Sequence, residues 1–198
     1  MQPSNHLLSS QVQCVNVLAP MMKDPDALKR LFTPWSAEVI PFAPEGGEAL
    51  TFEWTGLDNY LGEYGIEGEI GHRRKATSAD APFRFINNDE EIEIALVEWK
   101  YVEAYPDTGE EPLPARRLAR YRAAGEKELD LTLVPFEDLF VEPVYQLMRL
   151  QLLAAGIEAV NEQGCRCVRL VHVAPEGNRE LLRNLPRASL RSLGECLY

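Results

Sequence analysis

Two charged residues interrupt an otherwise apolar row near the middle of the chain. From Ile92 the even positions run Ile92, Ile94, Leu96, Glu98, Lys100 and Val102, and the two-residue period of a β-strand places all six on one face. A carboxylate and an ammonium beside Ile94, Leu96 and Val102 are costly to desolvate unless they pair, take hydrogen bonds or hold an ion. The same Glu-x-Lys on a solvent-facing strand would be a solvated ion pair, so the surroundings decide.

An aspartate upstream changes those surroundings. Asn87-Asn88-Asp89 is turn chemistry, so Ala81–Ile86 and Ile92–Tyr101 read as an antiparallel hairpin. With its midpoint near Asp89, partners are residues whose numbers sum to about 178, which sets Asp80 opposite Glu98 and their Cβ atoms about 4.5–5.5 Å apart. A slip of one residue would send Asp80 to the other face. Two neighbouring carboxylates repel unless one takes a proton or a cation lies between them. A hard divalent ion such as Mg²⁺ or Mn²⁺ suits such oxygen ligands and can add a backbone carbonyl, that of Trp99, and waters. Lys100, one strand repeat beyond Glu98, could orient or deprotonate a water for in-line attack on a phosphodiester.

At these residues the chain resembles the PD-(D/E)XK nuclease superfamily. Asp80 followed by Glu98-Trp99-Lys100 on the next strand carries the signature. The phrases TSAD (77–80), FRF (83–85), VEWKY (97–101), EPVYQLMRLQLLA (142–154) and VHVAP (171–175) are similar to bacterial restriction-endonuclease-like proteins, over roughly Ser9 to Pro175. The resemblance implies that Asp80 and Glu98 are metal ligands and Lys100 the catalytic lysine. Ala79 stands where the superfamily name has proline, and Gly71-His72-Arg73-Arg74-Lys75 is bulkier than a glycine-rich approach. The resemblance also implies an additional upstream acid, for which Glu63 in Leu61-Gly62-Glu63 is the candidate, and an approach to the site by Gln146 and Arg149, which lie three apart on one helix surface.

Composition narrows the class. The chain has 198 residues, 45% of them hydrophobic and 26% charged, with a net charge of −11. That length suits one domain with a real core, taken here as residues 1–198. Such acidity argues against a generic nucleic-acid binder, whose footprint is basic, yet positive charge can be local. Two clusters stand out: Arg73-Arg74-Lys75, and Arg116, Arg117, Arg120 with Arg122. No apolar run approaches the ~20 residues of a membrane span, and the start lacks a signal-peptide pattern, so a cytoplasmic location is expected. Cys14, Cys165, Cys167 and Cys196 show no zinc or disulfide-framework spacing and read as reduced thiols. The end at Leu197-Tyr198 without a charged tail suggests a natural chain that runs further.

The supporting elements follow from pattern. Leu7–Leu18 and Asp26–Phe32 read as helices, the second capped by Asp24-Pro25. Ala37–Phe42 and Ala49–Thr55 read as strands about Pro44-Glu45-Gly46-Gly47, with Leu50, Phe52 and Trp54 on one buried face. Leu57–Arg74 is punctuated by glycines but has no phosphate-loop pattern. Tyr105–Lys127 is polar and proline-bearing, with a short helix over Ala115–Ala123 that could close over a substrate strand. Glu142–Gln163 is the strongest helix, with Val144, Leu147, Met148, Leu152, Ile157 and Val160 as its stripe and Gly164 at its end. Cys167–Val173 reads as a strand with His172 as a structural histidine, and Glu176–Leu193 as partly helical.

The expected fold is therefore α/β (α+β), a restriction-endonuclease-like αβββαβ core with a mixed sheet flanked by helices. The expected function is a Mg²⁺-dependent deoxyribonuclease, with DNA as substrate and a homodimer as a plausible assembly for cutting both strands. A nuclease fold without activity, used for binding or assembly, and a nuclease acting on RNA stay open as alternatives.

Overall fold

The structure is a computed structural model and describes residues 9–32, 37–63, 76–103, 115–178, 181, 187, 189 and 190. Arg73, Arg74 and Lys75, the proline-bearing stretch after Tyr105, Cys196 and most of the segment after Asn178 lie outside the described residues.

A four-stranded mixed sheet in the order β1-β2-β3-β4 is flanked by helices. Its strands are β1 (Glu38–Ile40), β2 (Phe83–Ile86), β3 (Ile92–Trp99) and β4 (Cys167–Val173). The first three are antiparallel neighbours, and β4 joins β3 in parallel. A parallel neighbour requires a crossover, and the described residues between β3 and β4 include two α-helices, α3 (Ala115–Glu128) and α4 (Val144–Ala159). Before β1 come α1 (Ser10–Leu18) and α2 (Pro25–Leu31). Asp24 caps α2 by accepting the Ala27 N–H at 2.9 Å, as its sequence indicates.

The β2–β3 hairpin has the expected register: Phe83 pairs with Ala95, Arg84 with Ile94 and Ile86 with Ile92. Asn87 closes the turn, its Oδ1 accepting the N–H groups of Asp89 (2.8 Å) and Glu91 (3.0 Å). The left-handed backbone falls on Glu90, φ 63°.

Strand alternation sorts two cores. Phe83, Phe85, Ala95, Val97 and Val171 pack against Cys14, Leu18 and Leu28 of the first two helices. Ile94, Leu96 and Val168 pack against Leu150, Leu153, Ala154 and Ile157 of α4. A third cluster joins α3 and α4 through Tyr121, Tyr145, Met148 and Leu152, with Phe136 and Phe140. Each face of the sheet is thus sealed by helix, and apolar burial of this kind contributes about 25 cal/mol per Å² removed from water.

Three expectations need correction. Ala49–Thr55 is no regular strand; it makes two isolated bridges, Leu50 to Phe83 and Trp54 to Ala79. The reason is Glu53, whose φ of 53° breaks the pleat, so Phe52 packs into the first core and Trp54 into the second. The long helix stops at Ala159, because Asn161, Gln163 and Gly164 have φ of 49°, 53° and 75°; Val160 is consequently exposed. The basic helix runs further than expected, to Glu128. Among the described residues no helix is long and apolar enough to cross a membrane, and Cys14, Cys165 and Cys167 are free thiols.

Candidate active site

Glu98 ends the row of β3 residues facing α4, and Lys100 lies just beyond the strand. Because Ile94 and Leu96 on that row are fully buried, Glu98 is carried into the interior with them, 1% exposed, and Lys100 is 8% exposed. The Lys100 Nζ is 2.7 Å from Glu98 Oε1 and donates to Gln146 Oε1, also at 2.7 Å. The contact with Lys100 compensates the buried Glu98 carboxylate, whose other oxygen, Oε2, has no hydrogen-bond partner among the described residues.

Asp80 reaches the same place from the neighbouring ribbon. Its main-chain N–H donates to the Val97 carbonyl at 2.9 Å, and its Oδ2 accepts the N–H of Trp99 at 2.7 Å. Main chain and side chain therefore straddle Glu98. Ala81 N–H also points at Val97 O, at 3.4 Å, so the ladder loosens here, and the regular strand begins only at Phe83. The Trp99 indole in turn donates to Gln13 Oε1 of α1 at 2.7 Å, which holds this end of β3 from the opposite side.

The electrostatics follow from burial and crowding. Burial above all, and then Asp80, pushes the Glu98 carboxyl up to about 7, with Lys100 opposing. Burial also raises Asp80 above its ordinary value; the Trp99 N–H and Lys100 pull the other way, and Glu53 and Glu103 add to the rise. Two desolvated carboxylates share one ammonium, a negative excess that a cation would relieve.

The remaining sequence candidates divide. Gln146 joins the cluster through Lys100. Glu63 does not join the acidic pair: its carboxylate accepts from Thr77 Oγ1 at 2.8 Å, from the Thr77 N–H and from the Tyr121 hydroxyl, and Arg149 Nη1 lies 3.9 Å away. Among the described residues no three His, Cys, Asp or Glu side chains gather about one point. Arg116, Arg117 and Arg120 are exposed on α3, whereas Arg122 pairs with Glu137 at 2.6 Å and with Glu126 at 3.5 Å. Sequence reasoning missed Tyr121 and Thr77, since a tyrosine in a helix and a threonine before a strand carry no signal of a shared carboxylate. His172, read from sequence as a structural histidine rather than a base, pairs in register with Glu98 and is exposed.

The fold and this cluster define a mixed α/β protein, its four-stranded sheet flanked by helices, compatible with a restriction-endonuclease-like core. Over residues 1–197 the chain matches the family described as Restriction Endonuclease associating with ARP, and it belongs to that family. Membership points to a nuclease-like role. No curated protein and no solved structure matches the chain.

Proposed function

We propose that the chain is a PD-(D/E)XK-type deoxyribonuclease that hydrolyses phosphodiester bonds with Mg²⁺ or Mn²⁺, and that Asp80, Glu98 and Lys100 carry the reaction. One observation bears most of the weight: Glu98, 1% exposed, and the buried Asp80 beside it are two carboxylates compensated by a single ammonium, Lys100 Nζ, which lies 2.7 Å from Glu98 Oε1. Such an arrangement is unfavourable unless a cation completes it. The donor set fits a hard divalent ion, which accepts carboxylate and carbonyl oxygens and keeps several waters rather than needing a closed protein cage. In extended backbone the N–H and C=O of one residue point to the same side. With its N–H on Asp80, the Trp99 carbonyl is turned toward the same pair and is the third protein ligand in this reading.

When bound, the cation would neutralise developing charge on the phosphate and make water a better nucleophile. Lys100, held between Glu98 and Gln146, positions the attacking water. Gln146 fixes the direction of the ammonium, and α4 keeps bulk water from that side of the sheet. The exposed Arg116, Arg117 and Arg120 supply the local positive charge that a net charge of −11 otherwise withholds from a phosphate backbone. A second copy would serve the second strand.

The test is cleavage of plasmid DNA with Mg²⁺ or Mn²⁺ by the wild-type chain and by Asp80→Ala, Glu98→Ala and Lys100→Ala. Loss of cleavage in each variant, with the fold retained, supports the reading. Activity that survives all three would sink it, and cleavage confined to RNA would reassign the substrate.

A further inference from the structure

We propose that Glu63 is a positioning residue that couples the docking of the basic helix α3 to the placement of Asp80. The inference rests on the nuclease reading above and concerns how substrate contact is communicated to the site.

The Glu63 side chain is only 4% exposed and serves three elements at once. Its oxygens take both the N–H and the hydroxyl of Thr77, which is 2% exposed, and the hydroxyl of Tyr121, 3% exposed on the inner face of α3. Thr77 is three residues ahead of Asp80, and the chain between them has little slack. Ala79 exchanges backbone hydrogen bonds with Trp54 at 2.9 and 3.1 Å, and Asp80 is held by Val97. A shift of Glu63 is thus passed to Asp80 through main chain rather than absorbed in a loop.

The same cluster reaches the other arm of the site. The Arg149 guanidinium stacks 5.0 Å from the centre of the Tyr145 ring, and Arg117 of α3 lies 5.6 Å from it. The next residue, Gln146, holds Lys100. Arg116, Arg117 and Arg120 of α3 are exposed to solvent. A phosphate backbone drawn onto those arginines presses α3 inward through Tyr121 and Tyr145, and the Glu63 cluster then holds Asp80 and Lys100 in their places. Coupling of this kind is reciprocal: DNA strengthens cation binding, and the cation strengthens DNA binding by the same factor.

The experiment is titration of the full chain with Ca²⁺, a hard cation read by calorimetry, with and without a short DNA duplex. In the wild type the duplex raises Ca²⁺ affinity about 5- to 10-fold, at the low end of ordinary coupling. Tyr121→Phe keeps the ring and removes one donor; Glu63→Gln keeps the shape and misplaces the others. Each is expected to bring the duplex effect to within about twofold of none while Ca²⁺ affinity without DNA stays near wild type. A merely structural role would lower the melting temperature and leave the linkage intact. Undiminished linkage in both variants overturns the proposal, as does a wild type that binds both ligands independently. Binding of neither ligand overturns the parent reading and this one with it.

Discussion

Lys100 Nζ lies 2.7 Å from Glu98 Oε1, two residues along one ribbon, and both side chains are almost wholly buried. Removing either partner therefore has very different consequences. Lys100→Ala leaves an uncompensated buried carboxylate, a loss of about 3–5 kcal/mol in comparable pairs, reduced here because Glu98 can take up a proton. Glu98→Gln removes the excess charge and should cost less than half as much. Urea unfolding of the metal-free chain at pH 8 is expected to rank the wild type and Glu98→Gln together, well above Lys100→Ala.

Glu98 also sets a pH dependence. Its folded carboxyl titrates at about 7 against an ordinary value of 4.5, so the folded state holds the proton more tightly than the unfolded chain. That stabilisation is complete below about pH 4.5 and is lost as pH rises through 7. The metal-free protein should lose on the order of 2–3 kcal/mol between pH 5 and pH 8. Glu98→Gln should lack this decline, and calorimetric melting across that range measures the difference.

The opposite sign applies to Glu93. Burial alone would raise its carboxyl, but Arg169 and Asn87 together hold it below its ordinary value, through hydrogen bonds of 2.8 Å from Arg169 Nη2 and 2.7 Å from Asn87 Nδ2. This stabilisation is present above about pH 4.5 and fades as pH falls through the folded value. Arg169→Ala should therefore destabilise by about 2 kcal/mol at pH 7, less than for a fully buried pair because the arginine is half exposed. The gap between variant and wild type should close as the denaturation is repeated toward pH 3.

α3 offers a binding prediction. Alanine at Arg116, Arg117 and Arg120 is expected to weaken DNA binding and to flatten its salt dependence, the slope falling by about 0.9 for each phosphate that the helix no longer neutralises. Fluorescence anisotropy at several salt concentrations reads both effects, and an unchanged slope would remove α3 from the interface.

Gly156 tests the packing behind the site. Glycine inside a helix ordinarily costs about 1 kcal/mol relative to alanine, so Gly156→Ala looks stabilising from sequence. In the structure an added Cβ would stand 2.8 Å from both Cβ and Cγ of Tyr60, whose hydroxyl is tied to Glu162 Oε2 at 2.5 Å. The tyrosine cannot swing aside cheaply, and net destabilisation of about 1–2 kcal/mol is expected in chemical denaturation.

What local chemistry determines was legible in the residues. The Asn87 turn and the alternation of β3 specify a register in which one face is apolar, because a slip of one residue would exchange buried and exposed sides; Asp80, Glu98 and Lys100 come together for that reason. The cap at Asp24 and the strand Cys167–Val173 were legible in the same way. Other relationships join residues far apart in the chain and leave no local trace. Glu63 finds Tyr121 and Arg149 only when α3 and α4 are packed, and the choice of Gln146 as the partner of Lys100 depends on where α4 crosses the sheet. Glu53 shows the limit most directly: alternating Leu50, Phe52 and Trp54 predict one buried face, yet two cores compete for these side chains. A left-handed turn of the backbone at Glu53 divides them, because burying Trp54 with Phe42 outweighs keeping the strand regular.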